Sequence, residues 1–156
     1  MVEYIENEVI YLKISTKGRY ALRFMVDLAE HHEDGYIALK DIANRQNISK
    51  KYLEQIIAIL NQTDFLLSNR GSQGGYKLAK TPKDYNVLEI LERTEGSLAP
   101  VSCLETDVNC CERRDECTTL YVWEGLQKVV QNYLEGITLQ DILDKKNENN
   151  AYDFSI

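Results

Sequence analysis

Apolar residues first recur with a clear period near the start of the chain. Tyr20, Leu22, Phe24, Met25, Leu28 and Ala29 fall at helical spacing and predict a helix over residues 16–31. Asp34-Gly35 marks a turn, and Tyr36-Ile37 suits a short strand. A second helix is expected over residues 39–46, with Leu39, Ile42 and Ala43 facing inward. Asn47-Ile48-Ser49 interrupts the pattern, and Ser49 is a favourable N-cap for a third helix over residues 50–62. Leu53, Ile56, Ile57 and Leu60 make its apolar stripe, while Glu54 and Gln55 lie on or beside the opposite face. Two short helices joined by a tight turn form a helix-turn-helix.

The period then changes. Two strand-like runs, residues 65–70 and 76–79, flank Gly71-Ser72-Gln73-Gly74-Gly75 and predict a β-hairpin, the "wing" of a winged helix-turn-helix. A fourth helix is expected over residues 86–94, with Val87, Leu88, Ile90 and Leu91 apolar and Gly96 as its stop. Residues 97–117 read as a loop. A long helix follows over residues 119–135, with Thr119 as cap and Gly136 as stop. Leu120, Trp123, Leu126, Val130, Tyr133 and Leu134 make a stripe too apolar to stay exposed on so small a domain, so two protomers are expected to pair there. A short helix is expected after Thr138 and a polar, flexible tail from Asn147. The expected organisation is an N-terminal extension (1–12), a winged helix-turn-helix domain (13–96), a cysteine-containing sensor loop (97–117), a dimerisation helix with a short terminal helix (118–146) and a tail (147–156). The fold class is mainly α with one small β-hairpin.

Charge changes the picture through its distribution rather than its total. The net charge is −7, which argues against a nucleic-acid partner. Residues 13–80, however, hold 11 Lys and Arg against 7 Asp and Glu, whereas residues 81–156 hold 7 against 15. A basic front half can meet phosphate while an acidic back half faces away. No apolar run approaches the ~20 residues of a membrane span. The first eleven residues hold three glutamates and no lysine or arginine, unlike a secretory leader. The chain is expected to be cytoplasmic. No nucleophile–base pair, cofactor fingerprint or catalytic carboxylate pair stands out, so no enzyme activity is expected.

The third helix would be the recognition helix, with its N-terminal residues near base edges. Ser49, Lys50, Lys51 and Tyr52 open it; the lysines and the tyrosine suit phosphates. Gln55 can bond an adenine edge in bidentate fashion. Glu54 can accept from cytosine N4 and repels phosphate, so it discriminates among sites. Arg70, Gly71, Gly74, Gly75 and Tyr76 are the wing candidates, with Arg70 suited to a narrow minor groove. Lys17 and Arg19 are further phosphate candidates. The wing glycines lack a following Lys-Ser/Thr, so no nucleotide loop is expected.

All four cysteines, Cys103, Cys110, Cys111 and Cys117, lie within fifteen residues. In a reducing compartment such a cluster reads as metal ligands or redox thiols rather than a disulfide scaffold. Iron–sulfur ligation, thiol redox chemistry, a zinc site and free thiols in a flexible loop all remain open on spacing alone. His31 and His32 are expected to face solvent.

These residues together resemble the IscR-like family of winged-helix iron–sulfur regulators. The resemblance spans residues 13–145: Lys13 to Ala21 is similar to the family's opening, Ser49 to Ile56 to its recognition helix, and Arg70-Gly71 with Gly74-Gly75-Tyr76 to its wing. Cys111 to Cys117, with Trp123 six residues on, resembles the cluster loop of cluster-binding members, and Cys103 would be the first ligand. The resemblance implies a homodimer, a palindrome-like double-stranded DNA operator, and a 2Fe-2S cluster (4Fe-4S being the other type) on Cys103, Cys111 and Cys117. It also implies a possible regulatory partner, such as a cluster-assembly protein. Two departures stand out. Better-known members carry a histidine three residues after the last cysteine, where this chain has Leu120; and Cys110 is extra, leaving the fourth ligand open.

Overall fold

The computed structural model describes residues 13–153; the expected extension 1–12 and the end of the expected tail, 154–156, lie outside the described residues. The elements run α1 (Thr16–Glu30), α2 (Leu39–Gln46), α3 (Lys50–Leu60), β1 (Leu66–Asn69), β2 (Gly75–Leu78), α4 (Val87–Glu95), α5 (Leu120–Glu135) and α6 (Leu139–Asp153). The strands pair antiparallel, with Leu66 opposite Leu78 and Asn69 opposite Gly75. The expected strand at Tyr36-Ile37 is reduced to one bridge, Ile37 to Tyr76, at the edge of the hairpin.

Short polar side chains set the helix starts. Ser15 accepts from the Gly18 amide at 3.3 Å, Ser49 from Tyr52 at 3.2 Å and Asn86 from Glu89 at 2.8 Å, each satisfying a helix-start amide. Thr138 and Asp141 cap α6 reciprocally: the Thr138 amide donates to Asp141, and the Asp141 amide to the Thr138 hydroxyl. Gly96, at φ 81°, ends α4, and Asn47, at φ 51° and ψ 47°, ends α2 in the left-handed region. Thr119 is a correction. Its φ of −103° and ψ of −2° depart from the extended cap conformation, and its side chain caps nothing.

The core gathers Phe24, Met25 and Leu28 of α1, Ile42 of α2, and Leu53, Ile56 and Leu60 of α3 around Tyr85 and Ile90. Each such side chain contributes about 1.5–3 kcal/mol by burial. Leu139, at the start of α6, is fully buried in the same core. Backbone bonds hold it there: the Val87 amide donates to the Ile137 carbonyl and the Leu139 amide to the Tyr85 carbonyl. A smaller cluster of Val87, Leu91 and Leu98 packs with Leu134 and Ile137 beneath α5. α6 is longer than its pattern predicts and runs through part of the expected tail. The Gln140–Asp144 and Lys145–Glu148 contacts along it, and the Lys146–Glu30 bridge to α1, support the extra turns. Among the described residues, no helix is long and apolar enough to cross a membrane.

Candidate nucleic-acid interface and thiol loop

The candidate recognition residues Lys50, Lys51, Glu54 and Gln55 are exposed at the start of α3. Ser49 caps α3, so the first turn projects Lys50 and Lys51 into solvent. Glu54 lies one turn on, with its carboxylate 3.7 Å from the Lys50 ammonium; both are exposed and available to other partners. Gln55 is exposed beside it. Tyr52 is half-buried, its ring edge-on to Tyr20 at 5.6 Å, and Arg23 stacks over Tyr20 at 5.2 Å. It fixes α3 against α1 as well as facing outward.

The wing sits across a groove from α3. Ala38, Lys40, Lys50, Glu54, Asn69, Gly71, Gly74 and Tyr76 all line this groove. Tyr76 and Ile37 exchange amide–carbonyl bonds of 2.9 Å, which tie the hairpin to the start of α2. Gly75 makes that approach possible: a Cβ there would lie 2.1 Å from the Ile37 carbonyl oxygen. Gly71 has φ 108°, a conformation side-chain-bearing residues rarely adopt. Arg70, directly after β1, is exposed. At the other end, Arg19 is exposed and donates to the Thr16 hydroxyl at 3.0 Å, and Lys17 is half-buried. The structure thus brings Lys50, Glu54, Gly71, Gly74, Gly75 and Tyr76 to one groove, leaves Ser49, Lys51, Gln55 and Arg70 exposed outside its lining, and sets Lys17 and Arg19 at the start of α1.

Lys40 lines the same groove and was not among the expected contacts. The available signal was its place in the first turn of α2, on the side opposite Ile42. A second set was also missed: Asp27, Arg45 and Gln46. Asp27 is fully buried in α1 and accepts from Arg45 Nε at 3.1 Å, Arg45 Nη2 at 2.6 Å and Gln46 Nε2 at 2.8 Å. His31, expected in solvent, is half-buried with Nδ1 2.8 Å from the Asp27 carbonyl, and His32 Nδ1 lies 3.0 Å from that of Ala29.

The cysteines lie in the loop between α4 and α5, which carries two short turns of 3₁₀-helix, at Ser102–Leu104 and Arg114–Glu116. Cys103 is half-buried, and Cys110, Cys111 and Cys117 are exposed. Among the described residues they do not converge into a three-ligand metal set. Cys117 stands at the entry to α5, with Sγ 3.6 Å from the Thr119 hydroxyl. That hydroxyl, then the helix-start amides, holds the Cys117 thiol below its ordinary value.

Residues 14–145 match the Rrf2 family of iron-dependent transcriptional regulators. The chain belongs to the Rrf2 family. It is therefore a DNA-binding transcriptional regulator with cysteines in its loop, in a family of regulators rather than enzymes. The resemblance to IscR-like regulators holds in the fold. The IscR structure from T. potens matches at TM-score 0.71 with 40% identity, covering 88% of this chain and 90% of that one. CymR of B. subtilis, the global cysteine regulator, matches at TM-score 0.70 with 34% identity over 85% and 97%. The Rrf2 protein of Nitratidesulfovibrio vulgaris is 36% identical over 132 residues, 85% of this chain and 87% of its own.

Proposed function

We propose that this Rrf2-family chain is a homodimeric operator-binding regulator, acting in the cytoplasm, whose affinity for DNA is set by an iron–sulfur cluster on its thiol loop. The reading rests on one observation: the exposed loop that carries all four thiols leads straight into a helix with an uncovered apolar seam. Val122, Leu126, Val129 and Tyr133 recur at spacings of four, three and four along α5 and are exposed by 42, 38, 67 and 68%. Such spacing suits the seam of a helix pair. The expected stripe divides in two, since Leu120, Trp123, Val130 and Leu134 are half-buried toward the rest of the chain. Pairing along the outer seam sets two α3 helices for the half-sites of a palindromic duplex.

The loop thiols fit the group by donor chemistry, because thiolates suit iron–sulfur clusters. Cys103, Cys111 and Cys117 would hold it, as a 2Fe-2S or 4Fe-4S cluster, with Cys110 or a partner-chain group available as fourth ligand. The bound group supplies oxidation-labile bonds between thiolates distant in sequence. The chain's part is the loop, which must order to bring the thiols together. Ordering next to α5 favours one arrangement of the paired recognition helices, and the coupling is the difference in free energy between the two states.

Anaerobically purified protein is expected to carry iron and acid-labile sulfide, absorb in the visible, and shift a fragment of its own genome. The alternative reading, a metal-free thiol or nitric oxide switch, is favoured by the thiolate-stabilising contacts at Cys117. Reconstituted protein without iron but with oxidation-dependent DNA binding would select it.

A further inference from the structure

Asp27 has no exposed surface, so it touches no DNA, yet the side chains that hydrogen-bond its carboxylate lie at the end of the helix that precedes the recognition helix, with His31 Nδ1 of its own helix end farther off at 3.9 Å. A buried carboxylate is costly unless its oxygens are satisfied. Here both are: Arg45 bonds Oδ1 and Oδ2 in bidentate fashion, and Gln46 adds a third bond to Oδ2. Arg45 and Gln46 are the last two residues of α2, directly before the turn. Arg23, one helical turn before Asp27 on α1, donates to the Gln46 backbone carbonyl and, at 3.2 Å, to its side-chain oxygen. Next comes Asn47 in the left-handed region, then buried Ile48, then the Ser49 cap of α3. Little freedom remains between Asp27 and the first turn of α3.

We infer that Asp27 is a positioning residue for operator recognition: through Arg45 and Gln46 it fixes the angle at which α3 meets base edges. The inference rests on the DNA-binding reading above. A bidentate guanidinium–carboxylate pair is directional where an apolar contact is not. Geometry gives that direction leverage. Gln55 lies about 9 Å along the helix from Ser49, so a tilt of about 10° moves it by ~1.5 Å, beyond what a base-edge hydrogen bond tolerates. Phosphate contacts from flexible lysines survive such a shift.

The test uses the full-length protein with Asp27→Asn and, separately, Arg45→Lys, which keeps the charge but not the bidentate geometry. Affinities for the wild type's selected operator and for a scrambled duplex are measured by fluorescence anisotropy over a salt series, beside dimer mass and circular dichroism. Each folded variant is expected to lose about tenfold or more for the operator, while scrambled-duplex affinity and salt slope stay within about twofold. A purely structural pair would lower both affinities in step through the folded fraction. Affinities falling together, or operator affinity unchanged in folded Arg45→Lys, overturn the inference. Arg45 is partly exposed, so its variant decides the matter where Asp27→Asn does not fold. A wild type that binds no duplex sinks the operator reading and this inference together. A wild type that discriminates while the folded variants still do so sinks this inference alone.

Discussion

At Gly75 the wing backbone meets the start of α2 closely enough that one methyl group decides the geometry. The added carbon of Gly75→Ala would press on the Ile37 carbonyl, and on the Ala38 amide at 2.9 Å. Backbone on both sides cannot swing away, so the hairpin must shift. The expected loss is about 2 kcal/mol or more in chemical denaturation, with operator binding lost before the fold. Cys117 gives a second prediction at this scale. Because the Thr119 hydroxyl favours its thiolate, the pH midpoint of Cys117 alkylation lies below that of an ordinary thiol. The rate rises as pH passes up through that midpoint. Thr119→Val removes the leading contact and should move the midpoint upward; an unmoved midpoint in peptide-mapped alkylation counts against the contact. At the outward face, Arg70→Ala should weaken binding to every duplex if Arg70 meets phosphate, and Glu54→Ala should relax operator preference. Unchanged affinity and unchanged preference would remove those roles. Individual contacts were only partly legible in the sequence. Lys50, Glu54 and Arg70 announce themselves by phase and neighbours. Asp27 and Arg45 are 18 residues apart, and nothing local pairs them. The one hint was an acidic residue at a phase shared with Phe24 and Leu28, which demands a buried partner.

The elements were far more legible, because α1 to α4 each carry a helical apolar period, and α1, α3 and α4 open on the short polar caps Ser15, Ser49 and Asn86. Ser49 and Asn47 mark the turn of the helix-turn-helix by side-chain and backbone chemistry alone. Two elements escaped that logic. Thr119 has the residue type of a cap, but its backbone is already near-helical, so its hydroxyl turns to Cys117 instead. Residues 144–150 of α6 are all polar, and support for them comes from Leu139 in the core and from the Lys146–Glu30 bridge, neither of which a local pattern encodes. The seam of α5 yields the prediction at this scale. Leu126→Glu with Val129→Glu places charge on the proposed contact and should convert a dimer into a monomer by light scattering, with helix content kept. A dimer of unchanged mass would mean the subunits pair elsewhere.

For the whole molecule, the excess of Lys and Arg over Asp and Glu in residues 13–80 suits contact with a polyanion. Operator affinity should fall steeply with salt; a protein neutralising about 6 phosphates loses ~10³-fold between 50 and 200 mM. A flat salt profile would mean that these cations neutralise few phosphates. Fold class was readable at this scale because the order of helix, turn, helix and glycine hairpin is local information. The arrangement of thiols was not. A loop's shape depends on what it encloses and on the neighbouring subunit, and the four cysteines specify donors without specifying distances.

The burial of Leu139 has a consequence for how such a regulator is dissected. Residues 138–143 close the core of the segment at 13–96, although more than forty positions of loop and helix intervene. Cutting the chain after Gly96 would therefore leave a hole beside Tyr85 and Ile90 rather than release an autonomous DNA-reading module. Head and stalk share one interior. A displacement of α6 therefore bears directly on the packed core that also holds α1 to α3.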